Sequence, residues 1–365
     1  MIEKLNLKQI IIKQCNIVFI RSKWTSCEMK IAVMGMGVAG SYLIARLKNS
    51  EHEVVGYERS TQERHDSICA WGTIKSELEK FCKKTGRNFD DFLIHEGKTM
   101  HVKMNNSVKF DIGLHGLCTY DKLALIKDFI KDSKIIYGEA PKLEDLEKEY
   151  DMIVDCTGFA RTYLPKLEED FFLPTYEYKV EYEDKVPYED FYIEPFPGMS
   201  GYFWYFPLGE KWAHIGAGDY RKNHIKATDD FLKKHGGKVL KTKGRPIRLA
   251  TPGKCKPFYK GKVVGVGESI GTVYALLGEG IIPSMQCVDI FLENMHDFAA
   301  YEKAIDEHYK IYDKVFKFVR AKIHKDFNFF KSLPDFISIF RYMKKNEARF
   351  GMDIKISDLM KVAKA

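Results

Sequence analysis

None of the eight cysteines (Cys15, Cys27, Cys69, Cys82, Cys118, Cys156, Cys255, Cys287) stands in a CxxC pair. The spacing that a zinc site or a thioredoxin-like redox motif needs is therefore missing, and no metal is expected. Unpaired thiols fit a reducing compartment, so a cytoplasmic location is expected. The start of the chain also lacks a bilayer-spanning run: Leu5 to Ile20 is apolar in parts, but Lys8, Gln9, Lys13, Gln14 and Asn16 interrupt it and no small-residue cleavage site follows. It reads as neither a spanning helix nor a signal peptide. Evenly spread positive charge is missing too. Lys303 to Ala365 holds 15 Lys or Arg against 8 Asp or Glu, which accounts for the whole formal charge of +7. A local basic surface suited to an anionic lipid or phosphate is expected, and no nucleic-acid partner.

What the chain does have begins at Lys30. Lys30 to Met34 reads as a strand, Gly35-Met36-Gly37-Val38-Ala39-Gly40 as a glycine turn, Ser41 to Lys48 as a helix, and Glu53 to Tyr57 as a second strand ending at Glu58 and Arg59. In such a unit Gly35 permits the tight turn, Gly37 lets a pyrophosphate approach the backbone, and Gly40 lets helix and strand pack closely. The helix N-terminus offers unpaired N–H groups to phosphate. Glu58 follows Gly40 by 18 positions, where an acceptor can hold the ribose hydroxyls of an adenine dinucleotide. Met29 directly precedes the first strand, so residues 1–28 read as an extension that the fold does not use.

Further along, Asp151 to Asp155 reads as a buried strand closing on Gly158, again at the edge of a parallel sheet where ligands bind. From Thr175 to Tyr220 the period changes to two, which predicts antiparallel strands of an inserted second sheet. Alternation in Tyr202-Phe203-Trp204-Tyr205-Phe206-Pro207 puts Tyr202, Trp204 and Phe206 on one face and Phe203 and Tyr205 on the other. One such face is a candidate wall of an apolar cavity. A third glycine-rich stretch runs from Gly267-Glu268 to Gly278-Glu279-Gly280-Ile281 and leads into a helix. Its acid could hold the hydroxyls of a ribityl chain, and its helix dipole could stabilise negative charge on a reduced flavin ring. A protein that binds only a nicotinamide dinucleotide needs no such second site.

These three stretches, Gly35 to Gly40 with Glu58, Asp155 to Gly158, and Gly267 to Ile281, occur in the order found in the para-hydroxybenzoate hydroxylase group of flavoproteins. Within that group the strand Tyr202-x-Trp204-x-Phe206-Pro207, the Gly278 to Ile281 ending and Cys69-Ala70-Trp71-Gly72 resemble the geranylgeranyl reductase family, which saturates double bonds of prenyl chains. Glu268 departs from the family's usual Asp, Tyr274-Ala275-Leu276-Leu277 from its Asn-Pro-Leu-Thr, and Arg161 from its Ser. The resemblance implies an α/β fold: a Rossmann-like FAD-binding domain with a parallel sheet (29–172 and 251–297), an inserted antiparallel substrate domain (173–250) and a C-terminal helical region (298–365).

By the same resemblance, bound FAD would deliver hydride to an isolated alkene while a second group protonates the other carbon, in a water-poor tunnel. Cys69 is implied as the residue assisting the proton step, with His65, His115 and His214 as alternatives, and Tyr202, Trp204, Phe206 and Pro207 as tunnel lining. The external reductant, a nicotinamide or a ferredoxin, is not legible. Three rival readings remain: a flavin monooxygenase of a compact aromatic; a flavin halogenase, although Tyr202 and Phe206 fit its strand pattern Trp-x-Trp-x-Ile-Pro poorly; and a flavin-bound carrier of prenyl lipids. In the tail, Tyr309, Tyr312, Phe316 and Phe318 alternate with Lys310, Lys314, Lys317, Arg320 and Lys322. Such a segment is expected to lie on an anionic membrane surface, the competing reading being a helical cap that packs on the flavin domain and exposes its lysines.

Overall fold

A computed structural model describes residues 28–66, 69–104, 108–183 and 185–364. Apart from Glu28, the N-terminal extension, with Cys15 and Cys27, lies outside the described residues. Strand β1 (Lys30–Met34) is buried over its last four residues, which are all apolar, as a strand covered on both faces of a parallel sheet must be. It pairs in parallel with β2 (Glu53–Glu58) on one side and β9 (Met152–Asp155) on the other. The sheet continues outward to β8 (Ile135–Tyr137) beyond β2, and to β16 (Val263–Gly265) and the short β15 (Tyr259–Lys260) beyond β9. Helices α1 (Val38–Leu47), α3 (Lys122–Ile130) and α6 (Ile281–Asn294) pack on this frame, α1 touching both of the others. The register brings Met34, Tyr57, Asp155 and Gly265 to one edge, so all the glycine-rich turns open at the same end of the sheet.

The second sheet has seven strands in the order β14 (Lys238–Arg248), β10 (Phe172–Glu181), β13 (Trp212–Asp219), β12 (Gly201–Pro207), β11 (Phe191–Pro195), β5 (Thr99–Lys103) and β6 (Lys109–Gly113). It draws β5 and β6 from the first segment of the chain, with β5 parallel to β11. Strand β14 was not expected from the sequence: its first half, Lys-Val-Leu-Lys-Thr, is exposed and basic, as suits an edge strand, yet it pairs along the length of β10. One face of the sheet buries Val180, Phe203, Tyr205 and Ile215 under α5 (His224–His235) through Phe231 and Leu232. A three-stranded sheet of β3 (Gly72–Ile74), β7 (Leu117–Tyr120) and β4 (Leu93–Glu96), with α2 (Lys75–Lys83) following β3, lies between. The short α4 (Leu143–Glu149) leads into β9.

The chain ends in α7 (Phe298–His308), α8 (Lys310–Ile323), α9 (Phe329–Lys345), α10 (Glu347–Phe350) and α11 (Ile356–Lys364). In α8 the aromatic residues face the protein's own core and most of the basic residues face outward. Tyr309, Tyr312, Phe316 and Phe318 are all buried, while Lys310, Lys314, Lys317 and Arg320 are exposed. The helices are amphipathic as the pattern required, but the apolar face covers the protein's own core. Among the described residues no helix is long and apolar enough to cross a membrane.

A buried ion pair fastens this cap: Arg349 Nη1 lies 2.6 Å from Glu279 Oε2, with the two side chains 12% and 14% exposed. Arg349→Ala would leave the Glu279 carboxylate buried without its partner, at an expected cost of about 3 kcal/mol. The loss should appear as a lower denaturant midpoint, and adding Glu279→Gln should restore most of it. Equal stability of wild type and Arg349→Ala would show that the cap is held by apolar packing alone.

Candidate functional site

The first turn is built around its glycines. Gly35 has φ +90°, and a Cβ there would meet the Cys156 carbonyl at 2.9 Å; a Cβ on Gly40 would stand 2.0 Å from the Gly35 carbonyl. Gly37 differs, because a Cβ there meets nothing within 4 Å and would project into open cavity. Gly37 also caps α1 without any side-chain hydrogen bond, which leaves the first-turn N–H groups for a ligand. Glu58 ends β2 and accepts from Met36 N (3.0 Å), Ser60 N (3.0 Å) and Ser60 Oγ (2.8 Å). Burial favours its neutral form, but these hydrogen bonds outweigh burial and hold its carboxyl below the usual range. The result is an oriented, ionised acceptor.

Two acids expected to touch the cofactor have other work. Asp155 is fully buried and accepts from Thr157 N, Thr157 Oγ1, Tyr163 N and Leu164 N at 2.6–3.2 Å. It shapes the loop after β9 and does not line the cavity. Glu268 does line it, but its Oε1 accepts from Arg248 N (2.9 Å) and its Oε2 pairs with Arg245 (3.1 Å). Arg161, whose place was read only as a departure from Ser, is buried with left-handed φ (45°). It donates to the carbonyls of Pro165, Pro257 and Ser269, tying the loop after β9 to the third glycine-rich stretch. Gly267 packs against Ala39 and Ser284 between α1 and α6.

A single cavity of about 850 Å³ joins Gly35, Gly37, Val38, Ala39, Glu58, Arg59, Gly158, Glu268 and Gly278 to Ile281 with Cys69, Tyr202, Trp204 and Phe206. Gly40, Asp155, Gly267 and Pro207 stand behind this lining; the Pro207 carbonyl accepts from Thr119 Oγ1 at 2.5 Å. Tyr202 Oη donates to the Leu277 carbonyl at 2.6 Å, which holds β12 to the third stretch. The far wall comes from the C-terminal helices: Phe318, Val319, Ile323, Phe336, Ile339 and Met343. The sequence reading missed these residues, since an amphipathic pattern does not say what the apolar face covers. It also missed Glu177 on β10, only 7% exposed, which lines the cavity and accepts from Cys69 N at 3.2 Å. Burial pushes the Glu177 carboxyl up to about 7, against the opposing pull of Lys122 and the Cys69 N–H.

The three histidines separate. His65 lines the cavity with Nε2 2.9 Å from the Met36 carbonyl. His115 lies outside the cavity, exposed and paired with Asp353 at 2.7 Å. His214 is buried against Trp71, and burial lowers its imidazole to about 3, so it is neutral at ordinary pH and has no proton to give as an acid. Among the described residues no group of three or more His, Cys, Asp or Glu could hold a metal ion.

The family model for tryptophan halogenase matches residues 141–331. No curated protein matches the chain in sequence. A geranylgeranyl bacteriochlorophyll reductase-like protein from Thermoplasma acidophilum shares the fold with TM-score 0.66 and 14% identity, over 81% of this chain and 88% of that one. A probable FAD-dependent monooxygenase from Pseudomonas aeruginosa gives 0.59 and 12% over 85% and 100%. A flavin-dependent halogenase from Xanthomonas campestris gives 0.59 and 13% over 80% and 77%. At these identities the likeness shows the fold alone, that of flavin-dependent oxidoreductases.

The family and the fold imply FAD, and the residues fit it: an open cradle over Gly37, an uncapped α1 N-terminus, an ionised Glu58, and a second uncapped helix N-terminus at Gly280 on the same cavity. Gly37→Val is expected to fold but to purify without flavin, because its side chain fills ligand space and its Cβ meets no protein atom within 4 Å. Gly40→Val, whose Cβ meets backbone, is expected to fail to fold. The absorbance ratio of flavin to protein, with circular dichroism for folding, checks both; a fully flavin-loaded Gly37→Val protein would overturn the assignment of the cradle.

Proposed function

The chain belongs to the tryptophan halogenase family, which supplies a flavin frame, and on the lining of its cavity we propose that it is an FAD-dependent reductase that saturates carbon–carbon double bonds of a prenyl chain. The observation that carries this reading is the cavity wall. Trp204, Phe206, Phe318, Phe336, Ile339 and Met343 make an apolar lining that continues from the flavin cradle, which suits a long hydrocarbon better than a compact polar aromatic. FAD, when bound, supplies the hydride. The protein's part is to hold the alkene near the cradle, exclude water through the α8 and α9 wall, and provide a proton at the second carbon. Cys69 lines this cavity beside Glu177, so the loop carrying Cys69 stands where a proton is needed.

The family match itself favours a second reading, halogenation or oxygenation of an aromatic. Tyr202 and Phe206 weigh against it, standing where the halogenase strand pattern has Trp and Ile. Anaerobic incubation of the dithionite-reduced protein with a geranylgeranyl lipid, followed by mass spectrometry, tests the first reading. The expected product gains one dihydrogen per double bond. No gain, together with oxygen- and halide-dependent modification of an aromatic, would favour the second.

Ile339→Trp should keep flavin but narrow the tunnel, lowering kcat/KM for the prenyl chain by about tenfold or more; unchanged kinetics would remove α9 from the substrate path. An anionic membrane remains the proposed source of the lipid, met by the exposed Lys310, Lys314, Lys317 and Arg320 of α8 and not by its buried aromatics. Sedimentation with anionic vesicles at low salt and release at high salt are expected. Absence of binding at low salt would mean another route of delivery.

A further inference from the structure

A second cavity, about 370 Å³, is lined by Trp71, Asp121, Lys179, His214, Lys241 and Lys243. Among the described residues only Asp66 and Glu177 line both cavities. The two carboxyls differ in state. Asp66 lies 2.6 Å from Lys241 and 3.1 Å from Lys243, and these lysines hold it below the usual carboxylate range despite burial. Glu177 makes no ion pair of that kind; it is hydrogen-bonded to the Cys69 N–H and flanked by Gly216 and Trp204 on the same sheet face.

We propose that Glu177 is the proton donor of the reaction, passing a proton from the second cavity to the substrate carbon that does not receive hydride. The proposal rests on the reductase reading above. One new C–H bond takes its hydride, with both electrons, from reduced FAD; the other takes its proton from the Glu177 carboxyl; the C=C π bond breaks. Glu177 is left as carboxylate and regains a proton through the second cavity, while a nicotinamide or ferredoxin-class reductant restores the flavin. A group that must both hold a proton at neutral pH and release it needs an affinity near 7, which burial gives this carboxyl.

Every element around Glu177 contributes charge to that balance. Lys122 at the start of α3 and Arg245 on β14 favour the ionised form, and Asp66 on the Cys69 loop favours the neutral one. Lys179, Lys241 and Lys243 line the second cavity beside it, and His214 there is neutral.

The test uses wild type, Glu177→Gln and Cys69→Ala as flavin-loaded proteins in two half-reactions. Each is first reduced with dithionite, so that reoxidation alone is compared. Reoxidation of the wild type by a geranylgeranyl lipid should fall about tenfold per pH unit above about 7, as the acid form is lost. Glu177→Gln should be slower by about a hundredfold or more with no such limb, and Cys69→Ala should keep the limb.

Stability gives a readout without turnover. The folded pKa of Glu177 is raised above its unfolded value, so its contribution to stability is fully present below the unfolded value, near 4.5, and is lost as pH rises through about 7. The Tm of wild type should therefore fall relative to Glu177→Gln across that window. If wild type reduces the alkene and Glu177→Gln matches it, or if Cys69→Ala alone loses the limb, the proton role of Glu177 is overturned and the reductase reading stands. If wild type does not reduce the alkene, both fall.

Discussion

The largely buried pairing of Glu279 with Arg349 is the contact that ties the C-terminal helices to the lining of the cavity. Taking two charges out of water is costly, and in a low-dielectric setting a pair of this kind fixes an arrangement more than it stabilises the fold. Here the arrangement joins residues 70 positions apart, one at the third glycine-rich turn and the other in the last helices. Tyr274 adds to it: buried at the start of that turn, its ring meets Tyr312 at 5.1 Å and Phe350 at 5.3 Å. Where the reductase family has Asn at this place, the chain uses an aromatic anchor for its own cap. The apolar wall of the cavity and the third glycine-rich turn are thus fastened to each other.

The three turns that meet at the edge of the parallel sheet are held by main-chain polar groups more than by ligand-ready side chains. Asp155 satisfies four donors of its own loop, Arg161 three carbonyls, and Arg248 links Asp170, Phe159 and Glu268. Such groups, buried without partners, would each cost free energy, so the network keeps the cradle in shape before any cofactor arrives. A frame of this kind serves halogenases, monooxygenases and reductases alike. The choice among these chemistries lies in what the second sheet and the tail add to it.

The sequence made the frame legible because its signals are local. A strand, a glycine turn with fixed spacing, a helix and a strand-end acid occupy a few tens of residues, and Gly35 and Gly40 are demanded by backbone contacts that no other residue tolerates. Alternation along β12 was likewise readable, with Trp204 toward the cavity and Phe203 and Tyr205 toward α5. The rest depended on partners distant in the chain. Asp155 has the position of a ligand acid, but its oxygens are used by residues 157–164. The α8 stripe announces an apolar face and leaves open whether lipid or protein covers it. Glu177 sits in an alternating, tyrosine-rich strand and looks like a solvent-facing residue until β14, the Cys69 loop and α3 close around it.

Desolvation links these features. The apolar wall brought by α8 and α9 offers a hydrocarbon chain a surface comparable to lipid, and it keeps water from the end of the cradle where hydride transfer is proposed. Burial among β14, the Cys69 loop and α3 penalises charge on Glu177 and sets its proton affinity near neutrality, whereas Asp66, a neighbour with two lysines at hand, stays ionised. Water admitted beside Glu177 would lower its affinity toward that of an ordinary carboxylate. The apolar lining on one side of the cavity and the desolvated carboxyl on another thus draw on one physical cause, removal from water.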